Sequence, residues 1–393
     1  MRIAIILLTL EILTFIVLRD HFWRRSKPVF YAAVTTNFLL SIILWYFFFR
    51  SLTFRGFYDA PENVWYHLSL AGMMCAVTLP RFLLSLFHYT GKIIRLRKGG
   101  HIRGITTLGF IISAFVFFVI GYETFIGRFN FKTEEITLKI KDLKPGLEGL
   151  RIVQISDLHL SGFYRHHNQL QKAMAIINKL HPDIILNTGD FVSYGWREFD
   201  GCENILSKAV GRYGNYAISG NHDNGTYLPG TTIEGKASNT LTVNGKITES
   251  GYRLLLDSSI VREIGGAKVS FTGVTTEGRH PLLTHGDLSK AMTGTDSADF
   301  KILLIHNPNH WEADVVKKTN IDLTFSGHTH GMQIGILTKK FRWSPSIYFY
   351  PHWNGLYSEG RQYQYVNRGL GVLSVPFRIW MPPEITFMVL KRE

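Results

Sequence analysis

Five short polar clusters, Asp157-Leu158-His159, Gly189-Asp190, Gly220-Asn221-His222-Asp223, His306 and Gly327-His328-Thr329-His330-Gly331, follow one another between residues 157 and 331, and almost every one ends an apolar run. Short apolar runs bounded by turn residues read as buried strands, and open α/β sheets collect their ligands at the carboxyl ends of strands. The pattern therefore restricts the chain to an α/β fold that gathers its polar residues along one edge. Carboxylate and amide oxygens mixed with imidazole nitrogens suit borderline divalent ions such as Mn, Fe, Zn or Ni. Cys75, in an apolar stretch, and Cys202, in a polar one, are the two cysteines of the chain. A disulfide framework and a thiolate zinc site are both excluded, and the redox compartment stays open.

The runs keep an α/β rhythm. Glu135-Ile136-Thr137-Leu138-Lys139-Ile140 alternates as a half-buried strand does. Residues 150–155 read as a strand, Leu170, Met174, Ile177 and Leu180 as one face of a helix, and residues 183–187 as the next strand. Residues 214–219, 269–273, 301–305 and 321–326 repeat the strand pattern. Residues 225–250, rich in Gly, Thr and Asn, read as a long loop or lid after the third cluster.

The first 121 residues are of another kind. They supply 13 Lys/Arg against 4 Asp/Glu, so +9 of the formal charge of +13 lies there and +4 in the remainder. Apolar segments at 3–18, 29–49, 64–87 and 105–120 approach the roughly 20 residues that a helix needs to cross about 30 Å of hydrocarbon. The third carries His67, Pro80 and Arg81. Arg19, Arg24, Arg25 and Lys27 follow the first segment, and Lys92, Arg95, Arg97, Lys98 and Arg103 follow the third, whereas the loop between the second and third has Arg50 and Arg55. By the positive-inside tendency the first and third loops are cytoplasmic, and everything after residue 120 is extracytoplasmic. A cleaved leader fits the first segment less well, because its basic residues follow the apolar run. The expected organisation is an all-α transmembrane region of about four helices over 1–121, a linker and first strand over 122–147, and an α/β domain over 148–393. The high pI is then a membrane signature. No nucleic-acid partner is expected, since the later residues hold no extended basic run to track a phosphate backbone.

At a strand end, residues i and i+2 point the same way, so Asp157 and His159 can grip one ion. Asp190 can bridge two ions, with Gly189 permitting a tight turn. Asn221 supplies a neutral carbonyl oxygen, and His306, His328 and His330 complete a set of seven ligands for two divalent ions. Such ions, roughly 3.5–4 Å apart, clamp phosphoryl oxygens and lower the pKa of a bridging water for in-line displacement. His222 is the spare imidazole, placed to protonate a leaving oxygen, with Asp223 orienting it and keeping it cationic.

The ordered clusters resemble the calcineurin-like metallophosphoesterase superfamily. Val366-Asn367-Arg368-Gly369-Leu370-Gly371, followed by Pro376, Arg378 and Pro383-Glu384, is similar to its bacterial membrane-associated branch. The resemblance covers residues 148–393 and implies a four-layer sandwich of two mixed β-sheets flanked by helices. It also implies a metal-dependent phosphoesterase, with one metal held by Asp157, His159, Asp190 and His330 and the second by Asp190, Asn221, His306 and His328. Some relatives in that branch cleave the pyrophosphate of UDP-2,3-diacylglucosamine in lipid A synthesis. That substrate is cytoplasmic, which conflicts with the topology read from the charges.

An outward-facing catalytic domain tethered past a helix is expected to meet a phosphorylated amphiphilic substrate at the bilayer surface, such as a phospholipid, a lipid-linked sugar phosphate or an envelope polymer. Tyr348, Phe349, Tyr350, Trp353 and Tyr357 are candidates for an interfacial or acyl-binding rim, or else for packing between the sheets. Arg368 is a candidate for a second phosphate or head group, or else for a structural ion pair. A nuclease and a non-catalytic metal-binding membrane sensor are the rival readings. Composition leaves metal identity and oligomeric state open.

Overall fold

A computed structural model describes residues 2–54, 56–98, 103–275, 286–338 and 340–393; Arg55, counted above among the loop cations, lies outside them. The chain divides into a helical unit, Met1–Gly56, Tyr66–Gly127 and Ser374–Phe377, and a sheet unit, Phe57–Trp65, Arg128–Leu373 and Arg378–Glu393.

The helical unit is built from α1 (Arg2–Phe22), α2 (Lys27–Leu52), α3 (Pro61–Lys98) and α4 (Arg103–Phe125). Among the described residues, α2, α3 and α4 are long and apolar enough to cross a membrane, three helices where about four were expected. The segment over 3–18 does form a helix of 21 residues, but Glu11 within it and Arg2, Arg19 and Asp20 at its ends dilute its apolar character. Arg81, inside α3, is buried and satisfied. Its guanidinium donates to Ser41 Oγ at 2.6 Å and to the Asn37 carbonyl at 3.1 Å, and lies 3.4 Å from Glu11 Oε1. Glu11 also accepts from Trp45 Nε1 at 2.9 Å. Such partners make a charge tolerable in apolar surroundings.

The sheet unit contributes β1 (Lys132–Ile140), β2 (Arg151–Ile155), β3 (Ile184–Asn187), β4 (Asn215–Ala217) and β5 (Arg253–Leu254) to a first sheet. Strands β6 (Ser258–Ile264), β7 (Ala267–Gly273), β8 (Phe300–Leu304) and β9 (Leu323–Ser326) begin a second. A separate hairpin, β10 (Ile336–Leu337) and β11 (Arg342–Trp343), joins neither sheet. Strands β12 (Gly355–Glu359) and β13 (Gln362–Val366) complete the second sheet, and β14 (Glu384–Arg392) returns to the first. The two six-stranded sheets run β1-β14-β2-β3-β4-β5 and β12-β13-β9-β8-β7-β6. Both are mixed: β14 is antiparallel to β2, the β6–β7 and β12–β13 hairpins close the edges of the second sheet, and the interior neighbours are parallel.

Strand alternation builds the layers. Ile184 and Leu186 of β3 meet Ile302 and Leu304 of β8 in the core between the sheets. Ile185 and Leu303, one residue out of phase, face the two outer layers. Tyr216 stacks on Phe271 across the interface, ring centroids 4.2 Å apart and planes at 8°. One outer layer holds α5 (His167–Lys179), which buries Leu170, Ala173, Met174 and Ile177, together with α6 (Glu203–Leu206) and α7 (Ile233–Glu249). The other holds α8 (Leu288–Ala291) and the turn Trp311–Val315. The result is the expected four-layer sandwich.

The expected lid over 225–250 is not one. Its larger part is α7, started by Thr232, whose hydroxyl accepts from the Gly235 N–H at 3.1 Å. Asn239, Val243 and Ile247, four residues apart, are the buried face. Gly, Thr and Asn lower intrinsic helix propensity and hid the helix, and burial of that one face outweighs them.

Candidate metal centre

Strands β2, β3, β4, β8 and β9 end two to four residues before Asp157, Asp190, Asn221, His306 and His328, so the sheet ends deliver every cluster to one place. Asp157, His159 and His330 form one group of potential metal ligands, and Asp190, His306 and His328 form another, each with its ligand atoms within 4.8 Å of one another. Asp190 lies between them: its Oδ2 is 3.1 Å from His306 Nε2 and 3.8 Å from His159 Nε2. Asn221 Oδ1 is buried without a hydrogen-bond partner, while its Nδ2 donates to Tyr227 Oη at 3.3 Å.

The convergence does not come from strand alternation. Asp157 and His159 lie beyond the end of β2, and Asp157, His159, Asp190, His328 and His330 all have φ between 43° and 72°. Left-handed backbone at a non-glycine residue costs on the order of 1 kcal/mol each and persists where the surroundings over-determine it. His328 and His330 share the i, i+2 spacing yet join different groups, which a strand would not allow. Close approach explains two glycines: a Cβ at Gly220 would fall on the Asp190 carboxylate, and one at Gly327 on Ser156 Oγ.

Burial sets the protonation of the ligands. It pushes Asp157 up to about 6 and lowers His159 and His328 to about 3, with His330 well below its usual range. Burial would lower His306 as well, but the Asp190 carboxylate outweighs it and lifts the imidazole to about 9. Asp190 is held well below the usual carboxylate range, because His306 and His222 outweigh its own burial. The neutral imidazoles of His159 and His330 bring their Nε2 atoms within 3.1 Å of each other. Neutral imidazoles, carboxylates and one unpartnered amide oxygen around a shared point are the donor set of a divalent cation, so these residues fit the metal that the sequence implies.

His222 stands beside both groups, its ring 5.1 Å from that of His159 and stacked on Tyr227 at 4.1 Å. Its Nδ1 is 2.7 Å from the Ser193 carbonyl, which can only accept, so Nδ1 carries a proton. Asp223 does not orient this imidazole. Its two oxygens accept the backbone N–H groups of Asp190, Phe191, Val192 and Gly220 at 2.8–3.1 Å, and so tie the second cluster to the third. Arg368 is likewise taken up within the protein. It is buried, with Nη2 2.7 Å from Glu134, Nη1 3.2 Å from Glu384 and 2.8 Å from Asn354. The structural reading of Arg368 replaces the head-group reading.

Supporting residues escaped the sequence reading. Ser193 Oγ lies 3.1 Å from His159 Nδ1, the Thr188 carbonyl accepts from His306 Nδ1 at 2.7 Å, and Tyr350 Oη is 2.8 Å from His328 Nε2. Such partners fix ring orientation and tautomer. Tyr350 stands in the sequence as one of an aromatic run, and Ser193 and Thr188 carry no local signal at all.

Residues 150–332 match the calcineurin-like phosphoesterase family. The chain is 30% identical over 280 residues to the uncharacterized metallophosphoesterase YkuE of Bacillus subtilis, covering 69% of this chain and 89% of that one. It is 30% identical to the UDP-2,3-diacylglucosamine pyrophosphatase LpxG of Chlamydia trachomatis, over 62% of this chain and 84% of that one. It is 26% identical to a transmembrane protein with metallophosphoesterase domain of Danio rerio, over 66% of this chain and 57% of that one. The chain belongs to the calcineurin-like metallophosphoesterase family and is a metal-dependent hydrolase.

Proposed function

We propose that this protein is a membrane-anchored phosphoesterase that hydrolyses a phosphate ester of a lipid-linked or cell-envelope substrate, with its catalytic unit on the extracytoplasmic side. The observation that carries the chemistry is the meeting of the Asp157, His159, His330 group and the Asp190, His306, His328 group at Asp190, with His222 alongside. Asn221 Oδ1, buried without a hydrogen-bond partner, would join the second group as a further ligand. Two divalent ions, held by these residues, would supply the charge that polarises phosphoryl oxygens and lowers the pKa of water. The chain's own part is positional. Asp190 spans the groups, the Ser193 carbonyl holds Nδ1 of His222, and Nε2 of His222 is placed to hold a proton for the departing oxygen.

Three apolar helices and the transmembrane name of one relative support anchoring. For orientation, the loop between α2 and α3 and the residues after α4 are separated by two crossings, α3 and α4, and so share one side. The basic clusters at 19–27 and 92–103 then lie on the opposite, cytoplasmic side. Cleavage of the UDP-2,3-diacylglucosamine pyrophosphate is the second reading, favoured by the likeness to LpxG. A carboxyl-terminal reporter active on one side of the membrane separates the two: an external terminus supports the envelope substrate, and a cytoplasmic one overturns it for the nucleotide lipid. For catalysis itself, the Mn-loaded full chain is expected to hydrolyse an aryl phosphodiester or monoester. His222→Ala is expected to lose turnover with its metal content unchanged. Undiminished turnover in that variant would remove His222 from the reaction, and a wild type that binds metal without turnover would leave the sensor reading.

A further inference from the structure

We propose that the β10–β11 hairpin and the turn after it form an interfacial anchor that seats in the head-group layer of an anionic bilayer beside the metal centre. The inference rests on the membrane-anchored reading above, and its test does not use catalysis, so the two can fail separately. The hairpin pairs with neither sheet and carries no core. Its tip is closed by the Thr338 N–H donating to the Phe341 carbonyl and the Phe341 N–H donating to Thr338 Oγ1, both at 2.9 Å. That turn presents Phe341, 55% exposed, next to the exposed cation Lys340. Ile347, Tyr348 and Phe349 follow, at 43%, 75% and 63% exposure. Large apolar side chains exposed within nine residues of one another and next to a cation suit a contact site, and aromatic rings with a basic neighbour suit the boundary between lipid head groups and hydrocarbon.

Two observations favour a bilayer over a protein partner. Ile379 pairs with Ile334, just before β10, and the next residue, Trp380, is 59% exposed. A tryptophan following the residue bridged to the start of the hairpin adds a ring of the type that concentrates at the head-group boundary. The surface is also fastened to the site. Ser344 Oγ donates to the Gly331 carbonyl at 2.6 Å, and Tyr350, which follows Phe349, contacts His328 at 2.8 Å. An anchor so placed would bring the head group of an amphiphile to the metal ligands without lifting its chains out of the bilayer.

The test places a spin label at Phe341→Cys or, in a second variant, Tyr348→Cys, in the full chain carrying Cys75→Ala, with Cys202 left buried. Val210→Cys, at an exposed position outside the ridge, is the control. In vesicles of equimolar phosphatidylcholine and phosphatidylglycerol, the ratio of oxygen to nickel-chelate accessibility is expected to be several-fold higher at both ridge positions than at the control. That ratio should fall in phosphatidylcholine alone and with Lys340→Glu. A ratio equal to the control's overturns the proposal, as does shielding from both relaxants that depends on protein concentration, which would mean a second copy. Unchanged insertion without phosphatidylglycerol overturns its anionic part.

Discussion

Both units bury ionisable side chains, and they treat them in opposite ways. In the helical unit, Arg81 is surrounded by groups that answer it: Asn37, Ser41 and Glu11 accept, and Trp45 caps Glu11. In the sheet unit, imidazole nitrogens crowd one another at 3.1 Å, an amide oxygen lacks a partner, and five ligands sit on left-handed backbone. A charge that is buried for architecture arrives with its partners, whereas a cluster left short of positive charge and held in strained backbone is built to receive something. The contrast separates the structural polar core from the metal centre without reference to any relative.

The largest expected effect is at Asp190. Asp190→Ala should cut hydrolysis by more than the roughly 10–100-fold typical of a supporting partner, and chelation should do the same until a divalent ion is restored. Turnover that survives both would reduce the crowded site to packing. In the helical unit the effect should be on stability. Arg81→Leu leaves the half-buried Glu11 without its cation and should cost about 3 kcal/mol in thermal unfolding, whereas Glu11→Leu with Arg81→Leu should be close to neutral. Equal losses in the single and double variants would show that the pair is not the reason either residue is tolerated. Asp223→Asn should lower stability by about 2–3 kcal/mol, because one of its oxygens becomes an N–H donor facing backbone donors, and should leave the pH profile of turnover unmoved. A shifted profile at unchanged stability would return Asp223 to the role of orienting His222.

The last effect is a slope with pH. A bound cation must displace the His306 proton, held up to about 9, and below about 6 that of Asp157 as well. Apparent metal affinity should therefore rise with pH, by about tenfold per unit between about 6 and about 9, more steeply below and not at all above. Metal titrations in buffers of different ionisation enthalpy count the released protons, and a flat profile would show that His306 is not displaced by the ion.

What the sequence determined by itself was the alphabet and the order of the site. Short apolar runs such as 184–186 and 302–304, and helical spacing from Leu170 to Ile177, are local consequences of backbone geometry, so the strands and α5 could be read directly, whereas the four-layer class followed from the family resemblance. Asp157, His159, Asp190, His306, His328 and His330 were legible as candidate ligands because carboxylate and imidazole are the chemistry. Who meets whom came from packing in three dimensions. α7 exists because Asn239, Val243 and Ile247 find a core to cover. His328 and His330 part company through their backbone angles, Asp223 holds a loop 32 residues away instead of its neighbour His222, and Arg368 spends its charge on Glu134 and Glu384. Tyr350 and Ser193 reach imidazoles 22 and 34 residues distant. Hydrogen bonds and ion pairs act over a few ångströms in space, and no period along a chain records which distant donor will be brought that close.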